Sequence, residues 1–237
     1  VCTANAIRSP FLEHLLRVRF TASGVTDTLI DSAGSAARPG DPAAPQVIEI
    51  GRAYGLDLDL HRTRRLGEAM LRDTTLVLCA AGAHRRTILD MRPDLLDSTF
   101  TMREFARLLD EGPREIGERD DWPSVVRAAA QRRTRVRPAS AEDDDLVDPI
   151  GQPPAVWERF ERDAVAAVET ITAHAARVLR GGAGRPLTTT PATRRELRAR
   201  RAPITVDGEP SAQRLLTGRD HSGDDFGGAP WGRLSRR

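Results

Sequence analysis

An α/β fold, with a parallel sheet covered on both faces, is what this chain predicts, and two patterns predict it. Short apolar runs alternate with segments of helical apolar spacing as far as residue 110. Two of those runs, residues 75–79 and 98–102, are too short for helices and carry the β-branched and aromatic residues of buried strands.

Ser9 is placed to cap the first helix, with Pro10 at a first-turn position where a missing N–H costs nothing. Phe11, Leu12, Leu15, Leu16 and Phe20 give that helix its apolar face. Residues 28–30 read as a short strand ending in Asp31-Ser32-Ala33-Gly34. A second helix carries Val47, Ile50 and Tyr54 and is closed by Gly55. Residues 66–72 read as a short helix, 75–79 as a buried strand, 83–91 as a helix, 98–102 as a strand and 103–110 as a helix. Asp121 and Pro123 open an amphipathic segment with Trp122, Val125, Val126 and Ala129. A basic run (132–137) and an acidic run (142–145) then suggest a solvated, mobile loop. The last helix starts near Pro153-Pro154, turns Val156, Phe160, Val168, Ile171, Ala175 and Val178 to one side, and stops at Gly181-Gly182.

The organisation expected is a domain over residues 1–182, with a loose insertion at about 113–146, and a disordered basic tail over 183–237. That tail holds 11 Arg against 6 Asp and Glu, with few large apolar residues to offset its ordering entropy. It is read as a solvated tail; docking on an acidic partner or nucleic acid is the other use such a run can have. The 36 basic residues are all arginine, which points to a high-GC bacterial source of actinobacterial type. Two cysteines argue against a disulfide scaffold. With no long apolar run and no leader pattern, the expected location is cytoplasmic, without a membrane partner.

The chemistry centres on VCTANAIRSP. Five residues between Cys2 and Arg8 close a loop tight enough for backbone N–H groups to point inward, and the loop opens into a helix N-terminus. Such a nest suits a tetrahedral oxyanion, and a cysteine at its base is favoured as thiolate. Arg8 adds a planar fork that matches two phosphate oxygens.

With Cys2, Asn5, Arg8, Ser9 and Pro10, this string resembles the signature of the low-molecular-weight protein-tyrosine phosphatases, Cys-x-Gly-Asn-x-x-Arg-Ser-Pro. Ala4 replaces the usual Gly, and Ile7 stands where many members have a second cysteine. The resemblance implies a three-layer sandwich around a four-stranded parallel sheet, the phosphotyrosine phosphatase I-like fold. Its first strand would end at Cys2 and is largely missing here, as in a fragment or a chain whose GTG start was placed too late.

The resemblance also implies roles. Cys2 is the nucleophile, Arg8 holds phosphate, and Thr3, Ala4, Asn5, Ala6, Ile7 and Ser9 complete the phosphate loop. Asp148, followed by Pro149, falls where the family's general acid lies, with Asp143, Asp144 and Asp145 as rivals close by; Ile150 replaces a usual aromatic. Ser32 (in Ser-Ala-Gly) and His61 (in His-x-Thr-Arg) are expected to hold the loop from beneath, together with Asn5. The reaction implied is two-step phosphoryl transfer through a phosphocysteine, with no cofactor and no metal. The substrate implied is a phosphotyrosine protein, such as a bacterial tyrosine kinase or its target, and not a nucleic acid. A catalytically poor phosphate-binding module is the alternative. An arsenate reductase is a weaker one, because the relay would need a third cysteine beyond Cys2 and Cys79.

Overall fold

The structure is a computed structural model that describes residues 1–112, 121–136 and 140–181. The expected tail, and residues 113–120 and 137–139 of the expected insertion, lie outside the described residues. The elements in chain order are α1 (Arg8–Ala22), α2 (Pro45–Ala53), β1 (Val77–Cys79), α3 (Gly82–Met91), β2 (Thr99–Thr101), α4 (Met102–Asp110), α5 (Trp122–Arg132) and α6 (Pro154–Gly181). Short 3-10 turns at Glu68–Leu71, Pro93–Leu95 and Ala141–Asp144 link them.

The molecule is α/β with a parallel sheet. β1 and β2 pair in parallel, Val77 with Thr99 and Cys79 with Thr101. The sheet continues past β1 through single residues. Val1 N donates to Leu78 O at 2.6 Å and Ala80 N to Val1 O at 2.8 Å. Cys2 bridges Gly34, and Gly34 bridges Arg65, both in parallel. Five segments therefore lie side by side in the order Arg65, Gly34, Cys2, β1, β2. Two of them are long enough to be strands.

Residues 28–30 are not a strand. Leu29 is exposed, and the Ile30 carbonyl accepts from the Arg17 guanidinium instead of a neighbouring strand. Pairing starts later, where Cys2 N donates to Ala33 O and Gly34 bridges Cys2.

Side chains alternate across the sheet as strand geometry requires. Leu78 and Phe100 face a large core shared by α1, α2, α4, α5 and α6, which contains Phe11, Val47, Phe105, Leu108, Phe160 and Ile171. Val77 and Cys79 face a smaller one with Leu71, Ile88 and Leu95. α6 packs on α1 and α4, and the rings of Phe11 and Phe160 lie 5.6 Å apart. Burial of each such side chain stabilises the fold by roughly 1.5–3 kcal/mol. α4 begins with a capping box: Thr101 Oγ1 accepts from Glu104 N, and the Glu104 carboxylate accepts from Thr101 N. That Thr-x-x-Glu spacing is readable in the sequence.

The described parts of the two charge runs are anchored, contrary to the mobile loop expected. Arg133 pairs with Glu104 at 2.8 Å and stacks on Phe100, its guanidinium 3.9 Å from the ring centre. Arg107 holds Asp144 with two hydrogen bonds, at 2.7 and 3.1 Å. Each partner charge is partly buried, so pairing replaces the water it gives up. Among the described residues no helix is long and apolar enough to cross a membrane.

Candidate active site

The chain from Cys2 to Arg8 leaves the sheet between Gly34 and β1 and enters α1. Its tightest point is Asn5, whose φ of +56° places it in the left-handed region. Asparagine tolerates that conformation better than most residues because its short side chain can bond locally. Here it bonds in three directions. Asn5 Nδ2 donates to Ser9 Oγ at 2.9 Å and to Ser32 Oγ at 2.7 Å, while Oδ1 accepts from Arg64 N at 2.8 Å. Ala4, which stands where a glycine is usual, has no positive φ, so its Cβ costs nothing.

Cys2 Sγ lies at the floor of the loop, 2.9 Å from Ser9 Oγ, and accepts from Asn5 N at 3.3 Å. Because Asn5 Nδ2 already donates to Ser9 Oγ, the Ser9 proton is free to point at sulfur. Ser9 is thus inside α1 rather than its cap, a correction to the sequence reading. Ile7 is the N-cap residue, and no side chain caps there. The amides of Thr3, Ala4, Ala6, Ile7 and Arg8 have no acceptor among the described residues. Ile7 contributes its backbone to the loop and buries its side chain in the larger core.

Gly34 explains how the loop can sit so low. A Cβ on it would meet Thr3 O at 2.4 Å, Asn5 N at 2.7 Å and the Ala4 carbonyl carbon at 2.9 Å, all backbone. The same segment provides Ser32, and the next crossover provides His61 and Arg64. His61 Nε2 lies 2.8 Å from Asn5 O. A carbonyl only accepts, so this nitrogen carries the proton. Burial holds His61 below its usual pKa.

Sequence reasoning missed Glu13. It is buried on α1, accepts from Ser32 Oγ at 2.5 Å and pairs with Arg17 at 2.6 Å. A hydrogen-bonded chain thus runs from the Glu13 carboxylate through Ser32 and Asn5 to Ser9 and Cys2. It also missed His84, in the first turn of α3. Its Nε2 lies 2.9 Å from Thr3 Oγ1, and burial, helped by the Arg8 guanidinium, pushes it down to about 4. A glutamate one turn into a helix, or a histidine 81 residues from the loop, gives no spacing signal.

Asp148 arrives from the far end of the chain. Its carboxylate meets Arg8 Nη2 at 2.5 Å, and Arg8 Nη1 reaches Leu146 O at 3.4 Å. Asp148 is partly exposed while Arg8 is buried. The rival acids are engaged elsewhere. Asp144 is held by Arg107, and its carbonyl accepts from Thr101 Oγ1 at 2.5 Å. Asp145 accepts from Gly82 N at 2.7 Å, and Asp143 from Ser140 N at 2.7 Å. Leu146 N, bonded to Ala80 O at 2.8 Å, continues the anchorage. Ile150 is exposed beside Asp148. Cys79 is buried in the sheet, and burial pushes its thiol up to about 11.

The arrangement therefore brings together a thiol, a fork-shaped cation, a ring of unpaired amides and one partly exposed carboxylate. Comparison with known proteins follows the same lines. Residues 1–118 match the sequence family described as low molecular weight phosphotyrosine protein phosphatase. A probable low molecular weight protein-tyrosine-phosphatase, EpsP of Ralstonia solanacearum, is 33% identical over 104 residues, 44% of this chain and 68% of that one. A protein-arginine-phosphatase of Geobacillus stearothermophilus is 28% identical over 141 residues, 56% of this chain and 92% of that one. Among solved structures, a low molecular weight protein tyrosine phosphatase from T. tengcongensis superposes with a TM-score of 0.53 at 26% identity, covering 73% of this chain and 95% of its own. The chain belongs to the low molecular weight phosphotyrosine protein phosphatase family.

Proposed function

We propose that this chain hydrolyses phosphotyrosine in proteins through a phosphocysteine, with residues 1–182 as the catalytic domain. The observation that carries the reading is the loop from Thr3 to Arg8, whose Asn5 amide donates to the sulfur of Cys2 while its other amides have no acceptor among the described residues. Arg8 and these amides hold the non-bridging oxygens of the ester, which places phosphorus over the thiolate. Cys2 Sγ forms a bond to phosphorus as the P–O bond to the tyrosine breaks in line with it. Asp148 gives its proton to the departing phenolate, an effect worth roughly 10²–10⁴ in rate. As a carboxylate, Asp148 then takes a proton from the water that attacks the phosphocysteine. The Ser9 hydroxyl donates to sulfur and stabilises it as it leaves. Donors fixed before the reaction supply much of the acceleration, because they need no reorganisation as charge develops.

Cys79 supports hydrolysis over a thiol relay. A thiol buried in the sheet, with its pKa pushed up to about 11, is a poor nucleophile near neutral pH. The similarity to a protein-arginine-phosphatase gives phosphoarginine as the second substrate to compare.

The test is hydrolysis of p-nitrophenyl phosphate near pH 6 with EDTA present, followed by phosphotyrosine and phosphoarginine peptides of one sequence. Turnover lost in Cys2→Ser, with the tyrosine peptide preferred, is the expected result. Preference for the arginine peptide would reassign the substrate. A folded protein that binds vanadate without turning over any of the three would be a phosphate-binding module instead.

A further inference from the structure

We propose that Glu13, His14 and His61 form a binding site for a divalent transition metal of the zinc type, behind the phosphate loop and separate from Cys2. One ligand atom from each of the three lies within 4.8 Å of the others. Two imidazoles and one carboxylate are a donor set that zinc takes, with water in the fourth position. Zinc–ligand bonds of about 2 Å bring ligand atoms closer than this, so small side-chain rotations must close the site.

Each ligand is prepared differently. His61 donates its Nε2 proton to Asn5 O, so the Nδ1 lone pair remains for a metal. That is the arrangement in which metal-binding histidines are commonly found, with the second nitrogen fixed on a carbonyl. His14 is half-buried, its ring 6.2 Å from that of His61, and neither of its nitrogens makes a hydrogen bond among the described residues. Burial holds both imidazoles below their usual pKa, which favours the neutral form a metal binds.

Glu13 supplies the negative charge. Its partner Arg17 does not depend on it, because the same guanidinium bonds the Ile30 carbonyl and Asp31. Arg17, Arg62 and Arg64 oppose a cation here, and Asp57 and Glu13 favour it. The balance of ligands and opposing charge suits a reversible site rather than a permanent one. Occupancy would tie α1 to the segment that carries His61.

Zinc binding to the full chain with Cys2→Ser, read by competition with a chromophoric chelator at pH 7.5, tests this without relying on catalysis or on the active-site thiolate. One zinc per chain and a rise in melting temperature with zinc are expected. Adding His14→Asn should weaken binding more than about 10-fold, the least that even the partners of metal ligands are worth, and should abolish the thermal shift. In the active chain His14→Asn should leave turnover without zinc unchanged. Zinc affinity and thermal shift unaffected by His14→Asn would overturn the site. The phosphatase reading can fail while this result stands, because the binding measurement does not use turnover.

Discussion

Arg8 and Asp148 meet at 2.5 Å although 140 residues separate them in the chain. The guanidinium that is to hold phosphate is thus shared with the carboxylate that is to protonate the leaving group. In the reaction proposed above, a phosphate monoester in the loop would compete with Asp148 for the same fork, and its arrival would free the carboxyl to turn toward the ester oxygen.

Asp148→Ala should therefore lower kcat by roughly 10²–10⁴ for a phenolate that leaves poorly. The loss should be much smaller with p-nitrophenolate, which needs little protonation to depart. Binding of vanadate should not weaken, because Arg8 loses a competitor. A kcat ratio independent of the leaving group's basicity would remove Asp148 from the acid role.

The acid loop depends on anchors remote from the chemistry. Arg107 clamps Asp144, and Asp145 caps the start of α3 through Gly82 N. Asp144→Ala leaves Arg107 half-paired and lets the loop shift. A displacement near 1 Å costs a catalytic group about 10²-fold, so a fall of that order in kcat for poor leaving groups is expected. The vanadate inhibition constant should stay unchanged, since the phosphate loop is untouched. Equal losses in kcat and vanadate binding would instead mean a general loss of structure.

Gly34 marks the closest approach between the phosphate loop and the sheet. The contacts a methyl would make are backbone atoms at 2.4–2.9 Å, which cannot rotate away. Gly34→Ala should destabilise the protein by about 1–3 kcal/mol, the usual range for overpacking. Activity should fall even at temperatures where the variant stays folded, because the loop is lifted off Ser32 and His61, which bond Asn5 from beneath. Denaturant unfolding and kcat/KM on the same sample check both parts.

How much of this was legible from sequence depends on the length scale of each interaction. The loop was, because Cys2, Asn5, Arg8 and Ser9 carry their chemistry within eight consecutive positions. Asp148 was placed through the helix that follows it, although nothing local separated it from Asp143, Asp144 and Asp145. Only the anchors, Arg107 and Gly82 N, leave Asp148 as the carboxylate at Arg8. Glu13 and His84 were hidden for the same reason, since their partners Ser32 and Thr3 are 19 and 81 residues away. The strand read at residues 28–30 failed because local β-propensity cannot anticipate that Arg17 takes the Ile30 carbonyl.

His14, His61 and His84 make stability depend on pH in one direction. Burial is the leading cause of a lowered pKa in all three, to about 4 for His84. The unfolded chain, with histidines near 6.5, binds more protons than the native one below that pH. Stability is therefore full above about pH 6.5 and is lost as pH falls toward 4. Much of the fall should come above the carboxylate range, so melting temperatures at pH 7.5, 6.0 and 5.0 should decline steadily. His84→Gln removes one contribution while its amide can still reach Thr3 Oγ1, and its melting temperature should decline less over the same interval. A variant whose melting temperature tracks the parent at all three pH values would show that protonation of His84 is not coupled to unfolding, leaving the fall to His14 and His61.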